Sequence, residues 1–151
     1  MRHDYVTRLA WSGSTGAGYR AYGRDHTVSA APAEASLHLS ADPRFRGDGG
    51  RLNPEQLLVA AASSCQLLSF LAVAAAAGID IRSYDDHATG TMDLSDDPAR
   101  IGRIVLSPVI GVPAGTDRDA VLAAVATAHE RCYIANTLTT EVAIDATVVH
   151  R

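Results

Sequence analysis

Apolar and polar residues alternate with a period near two at both ends of the chain, and switch to helical spacing twice in between. YVTRLAW (5–11) alternates well enough for a strand, and the SGSTGAG that follows is turn material. YRAYG (19–23) and HTVSA (26–30) read as a second strand with a break near Gly23. ASLHLS (35–40) sets Ala35, Leu37 and Leu39 on one face against Ser36, His38 and Ser40 on the other. This opening predicts an antiparallel meander with one wet face. ADPRFRGDGGRL (41–52) is then a Pro/Gly/Asp loop too long to be a mere connection, and such loops tend to carry function. Its Arg44, Arg46 and Arg51 are the one local concentration of positive charge.

The stretch from Asn53 to Gly78, NPEQLLVAAASSCQLLSFLAVAAAAG, predicts a long helix. Asn53 suits the N-cap, Pro54 the first helical position and Glu55 the first turn, and Gln56 at N3 completes a near relative of the capping box. Gly78 supplies the stop, because glycine tolerates the left-handed conformation that closes many helices. At about 1.5 Å per residue the element is some 35 Å long. It is hydrophobic nearly all round, which predicts burial on most sides.

Strand patterning resumes with IDIRSYDDHATGTM (79–92), a turn at LSDDPA (94–99), and a return over residues 100–112 in which Pro108 marks an edge or bulge. A second helix is expected with Thr116 as N-cap and Asp119 at N3, its apolar face being Val121, Leu122, Val125, Ala128 and Cys132. YIANTL (133–138) ends that helix or forms a short extra turn, and TEVAIDATVVH (140–150) alternates as a last strand. The order β-β-β-α-β-β-α-β is α+β, with antiparallel sheets around a long central helix.

Length and charge narrow the functions. At 151 residues and 15.8 kDa the chain fits a single domain over 1–151. A net charge of -4 and a pI near 5.8 argue against a nucleic-acid partner, whose footprint would be basic. The polar start MRHDYVTRLAW lacks the apolar core of a signal peptide, so a cytoplasmic location is expected. Ser63, Ser64, Cys65, Gln66 and Ser69 in the middle of the long helix argue against a membrane span. Two cysteines in such a chain suggest a redox or catalytic pair, or simply two buried thiols.

A working nucleophile needs a lowered pKa. Cys65 lies about three turns into its helix, beyond the first-turn reach of the helix dipole, and apolar burial would raise its pKa. A cation should therefore approach it, and an arginine from the preceding loop is available. A carboxylate could grip the other edge of that arginine's flat fork, and Glu55 is the natural one. Glu55 is equally an acidic residue favoured by a helix N-terminus, with no function at all. His129 and Cys132 stand three apart and could join Cys65 around a metal, but no fourth ligand is evident, so no metal is expected. GDGG (47–50) lacks the ending of a phosphate loop, and GSTGAG fails the dinucleotide spacing.

Asn53-Pro54-Glu55-Gln56-Leu57-Leu58, an Ala-rich run, Cys65 ten residues after the Glu, and Cys132 sixty-seven residues later resemble the OsmC/Ohr family of organic hydroperoxide-reducing proteins. Arg44-Phe45-Arg46-Gly47 resembles the Arg-Phe-x-Gly stretch of its OsmC branch. One departure stands out: the second cysteine of the family is commonly followed by Pro, and here by Tyr133. The resemblance implies an intertwined homodimer with its long helices enclosed by sheets, and thiol peroxidase chemistry without metal or other cofactor. It makes Cys65 the peroxidatic nucleophile and Cys132 the resolving thiol, joined in a disulfide that an external dithiol of the lipoyl type reduces. Arg44 would stabilise the thiolate and Glu55 would orient Arg44, with Arg24 and Arg46 as the other arginines able to take that part. Glu55 and Cys65 are ten residues apart, about 15 Å along one straight helix, so either the helix breaks between them or one site draws on two chains; the shared site is preferred. The alternative function is a non-enzymatic stress-response or small-ligand-binding protein on the same fold.

Overall fold

The computed structural model describes residues 1–151, which form two compact units, Met1–Leu57 and Leu58–Arg151. In the first unit, β1 (Arg8–Ala10), β2 (His26–Ser29) and β3 (Leu37–Leu39) make the expected antiparallel meander, with Leu9 opposite Val28 and Thr27 opposite His38. Residues 19–22 are not strand; they form a turn in which Tyr19 and Tyr22 meet edge to face and both stack on the Arg24 guanidinium. Aromatic packing on a cation has displaced the strand pairing that their alternation suggests.

The loop over 41–52 holds one turn of 3-10 helix, Pro43–Phe45, capped by Asp42, whose carboxylate accepts from the Arg44 N–H at 2.7 Å. The chain then folds back so tightly that a Cβ on Gly47 would lie 1.7 Å from the Ala41 carbonyl oxygen.

The long helix α1 (Pro54–Ala76) starts and stops where its sequence signals stand. Asn53 Oδ1 accepts from the Gln56 N–H at 2.9 Å, and Gln56 Oε1 accepts from the Asn53 N–H at 3.0 Å, a reciprocal capping box. At the other end Gly78 takes φ +70, while the Ile79 N–H reaches the Ala74 carbonyl and the Gly78 N–H the Ala75 carbonyl. That pairing is a Schellman closure. The helix is unbroken.

Burial of α1 differs from expectation. Only Ala62, Gln66, Phe70 and Ala74, one residue per turn, are buried, while Ala60, Ser64, Leu68, Leu71, Ala72 and Ala75 are exposed. The sheets and α2 pack against that buried stripe. By length and composition α1 could cross a membrane. Its central polar groups are spent on protein instead: Gln66 Nε2 donates to the Val125 carbonyl at 3.2 Å, and Ser63 Oγ to Asp86 at 2.5 Å.

Each strand expected after α1 is broken in two at the same level. The pieces are β4 (Ser83–Asp86) and β5 (Thr89–Met92), β6 (Ile101–Leu106) and β7 (Pro108–Val112), β8 (Glu141–Ile144) and β9 (Thr147–His150). They sort into two sheets, β4-β7-β9 and β5-β6-β8. At the break the Ser107 N–H donates to Asp86 Oδ1 at 2.7 Å, and the Asp145 N–H to the Leu106 carbonyl at 2.8 Å. The last strands run parallel to their neighbours, β8 to β6 and β9 to β7, so the sheets are mixed and not purely antiparallel. Parallel pairing follows from the crossover through α2 (Arg118–Glu130) and the short α3 (Tyr133–Thr137). Asp117, not Thr116, caps α2, its side chain accepting from the Asp119 N–H at 2.9 Å. One core joins Phe70 and Ala74 of α1 to Val121, Val125 and Ala128 of α2 and Ile110 and Val112 of β7. A second joins Ala62 to Ile104, Leu106 and Val142.

Candidate active site

Cys132 is not the end of the second helix's stripe. The helix stops at Glu130, where the Arg131 N–H donates to the Ala128 carbonyl at 3.1 Å and the Cys132 N–H to the His129 carbonyl at 3.2 Å, and Cys132 becomes the N-cap of α3. The side chains of Asn136 and Thr137 fasten α3 in place, the first bonding the Glu130 carbonyl at 3.0 Å and the second the Tyr133 carbonyl at 2.7 Å. The Gln66 and Ser63 bonds fix the rotation of α1. Together these anchors turn Cys65 toward the start of α3.

There the two thiols meet. Both are free, Cys65 half-buried and Cys132 buried, and the two side chains are close enough that each shifts the pKa of the other. Burial pushes the Cys65 thiol up, but the Ile134 N–H, the Cys132 side chain, the Tyr133 N–H and the Ser69 hydroxyl outweigh it and hold the thiol below its ordinary value. The first amides of a helix have no partner within it, so the start of α3 has donors to spare. Burial pushes Cys132 up, and the neighbouring Cys65 sulfur adds to that rise. One thiol of the pair is therefore readied to ionise and the other to keep its proton.

This changes the expectation that a cation must activate Cys65. Backbone and side-chain donors of its own unit already lower its pKa. The signal was present in the sequence as the absence of Pro after Cys132: a proline at that position has no N–H to give.

Arg44 and Glu55 belong to the first unit and are described there. Arg44 is exposed on its 3-10 turn, and Glu55 is half-buried in the first turn of α1. No ion pair joins them; the acidic partners in that unit go to Arg2 and Arg51, the latter bridging Asp25 at 3.2 Å and Asp48 at 3.4 Å. Arg24 donates to the Tyr22 and Tyr19 carbonyls and stacks on both rings. Arg46 sits in the left-handed region at φ 67. Cys65, Cys132 and His129 are not gathered into a metal-binding group.

A cavity of about 630 Å³ opens beside Cys65, lined by one face of α1 from Ala61 to Ala76 and by Arg131, Tyr133 and Ile134. Sequence reasoning missed Arg131, since helical spacing says nothing about a residue that lies between two helices.

Residues 47–147 match the model of the family described as OsmC-like protein. The chain belongs to the OsmC-like family. Solved structures agree on the fold. An OsmC-like protein of unknown function from Vibrio cholerae is 26% identical, with a TM-score of 0.84 over 96% of this chain and 99% of its own. An organic hydroperoxide resistance protein OsmC from Legionella pneumophila is 20% identical, with a TM-score of 0.68 over 97% of this chain and 96% of its own. An organic hydroperoxide resistance protein from Elizabethkingia anophelis is 17% identical, with a TM-score of 0.68 over the whole of both chains. Among curated proteins none matches. The mixed sheets and long helix of this OsmC-like chain are thus those of its relatives.

Proposed function

We propose that this OsmC-like protein is a cysteine-based peroxidase that reduces organic hydroperoxides. The observation that carries the reading is the inequivalent thiol pair: Cys65 held below its ordinary pKa, and Cys132, held above its own, in contact with it. The Cys65 thiolate attacks the outer oxygen of R–O–OH. The O–O bond breaks, RO⁻ takes a proton and leaves as the alcohol, and Cys65 becomes a sulfenic acid. The Cys132 sulfur then displaces hydroxide from that sulfenic acid, and its proton leaves in the water formed. The product is a Cys65–Cys132 disulfide, which an external dithiol of the lipoyl type returns to two thiols with two electrons and two protons. No metal or other cofactor takes part in these steps.

The same reading makes the protein a homodimer with shared sites, in which Arg44 adds to thiolate stabilisation and Glu55 orients Arg44. Two observations support it. Helix α1 is unbroken, so a rise of about 1.5 Å per residue keeps Glu55 and Cys65 of one chain from sharing a single arginine fork. The apolar stripe of α1 that includes Leu68 and Leu71 is exposed and suits a second copy of the helix.

The test is consumption of an organic hydroperoxide with a dithiol reductant. Wild type is expected to turn over and Cys65→Ser to be inactive; retained turnover in that variant rejects the mechanism.

A further inference from the structure

Gln66 directly follows Cys65 and is the one buried side chain of residues 58–151 that carries a polar nitrogen or oxygen, at 1% exposure. Its neighbours in the buried stripe of α1 are Ala62 and Phe70, so an apolar residue there would simply continue the stripe. Nε2 donates to the Val125 carbonyl at 3.2 Å, while Oε1 has no partner, and an unmet buried acceptor counts against folding. Nor does Val125 lack a donor, because its carbonyl lies within α2 and faces the amide four residues on. What the bond supplies is direction. It is the one hydrogen bond between α1 and α2. The rest of their contact is apolar, Phe70 and Ala74 against Val121, Val125 and Ala128, and such contact holds helices together without fixing how they sit.

Each helix governs one thiol. The Cys132 N–H donates to the His129 carbonyl at 3.2 Å, and Asn136 ties α3 to the Glu130 carbonyl at 3.0 Å, so Cys132 moves with the end of α2. Cys65 moves with α1, about 100° round the helix from Gln66. The seat of α1 on α2 therefore decides how the two sulfurs meet. We propose that Gln66 is a positioning residue that fixes this seat and so sets how readily Cys65 and Cys132 close to a disulfide. Closure is the step that needs it. An S–S bond of about 2.05 Å forms only with the Cα atoms within about 7 Å, and a misplacement of about 1 Å can cost up to about a hundredfold. Attack on a peroxide uses the Cys65 sulfur alone and is less sensitive to that seat. As a step in turnover the inference rests on the peroxidase reading; as a property of the thiol pair it needs no peroxide.

The experiment is a redox titration of wild type and Gln66→Met against mixtures of reduced and oxidised dithiothreitol, with the disulfide counted by mass. Closure passes two electrons and two protons from the two thiols to oxidised dithiothreitol, so no hydroperoxide is involved. Methionine keeps the length of the side chain and cannot donate, so Gln66→Met should melt at or above the wild-type temperature. Its closure constant should fall about tenfold, which raises the reduction potential of the pair by about 30 mV. With an organic hydroperoxide and dimedone present, the variant should also carry more trapped Cys65 sulfenic acid than wild type. Equal potentials in the two folded proteins overturn the proposal. So does a variant that melts well below wild type, which would make Gln66 a residue of core stability. Gln66→Leu, also apolar and without a donor, should shift the potential in the same direction; a shift in one variant and not the other would assign the effect to side-chain shape and overturn the proposal too. If the potentials differ as expected while wild type consumes no hydroperoxide, the peroxidase reading has failed and the role of Gln66 in the pair stands. Hydroperoxide consumption with equal potentials removes the role of Gln66 alone.

Discussion

Cys132 lies beside Cys65, and that proximity leaves the two thiols chemically unlike. Cys65 also receives the Ile134 and Tyr133 amides and the Ser69 hydroxyl, which together overcome its partial burial. Cys132 is buried beside a sulfur that becomes negative, so it holds its proton. A nucleophile and a resolving thiol differ in this way.

The first prediction concerns pH. Because the Cys65 pKa is lowered, its thiolate forms at a pH below that of an ordinary cysteine, is fully present above that point, and is lost as the pH falls through it. Alkylation by iodoacetamide, followed by mass spectrometry, should therefore rise with pH and reach its plateau earlier at Cys65 than in a small thiol. Cys132, raised and buried, should lag behind both. Equal profiles for the two cysteines would refute the asymmetry.

Tyr133→Pro isolates one donor. Position 133 opens α3, where proline is tolerated because the N–H it lacks has no helical partner. The variant should fold and melt within about 1 kcal/mol of wild type, as substitutions away from a packed core usually do. Its Cys65 alkylation profile should move to higher pH, since one hydrogen bond to the thiolate has gone. An unmoved profile in a folded variant would remove the Tyr133 amide from the account.

Association can be read from sedimentation. Each chain has a mass of 15.8 kDa, and wild type should sediment at twice that value. Leu71→Asp places a charge on the exposed stripe of α1 and should produce monomers with little peroxidase activity. A monomer with full activity would contradict a site shared between two chains.

Gly47 tests the loop that carries Arg44. A Cβ there would press on the Ala41 backbone, which cannot swing aside as a side chain can. Gly47→Ala should lower stability by about 3 kcal/mol, the upper end of overpacking, in a thermal or urea melt. A loss below 0.5 kcal/mol, the range of a neutral surface change, would show that the loop yields.

These residues also show what the sequence discloses and where it stops. The capping box of Asn53 and Gln56 and the Gly78 stop were legible because both depend on neighbours within a turn or two. The shared corner of the strands was not, since alternation continues through it while the bond from Ser107 to Asp86 spans 21 positions. Cys132 misled for a local reason: it follows Ala128 by four residues, which is helical spacing, yet Arg131 had already closed the helix. The pairing of Cys65 with Cys132 could be expected from the family resemblance. The donors that lower the Cys65 pKa could not, because backbone amides leave no mark in a residue pattern except where a proline is missing.

The most direct test is the mass of the protein after one equivalent of an organic hydroperoxide. Wild type should lose two hydrogens as the disulfide forms, Cys132→Ser should gain one oxygen at Cys65, and Cys65→Ser should remain unchanged. A wild-type mass that does not change while the hydroperoxide persists, or a Cys65→Ser variant that takes up oxygen at Cys132 as readily as wild type reacts, would contradict Cys65 as the nucleophile.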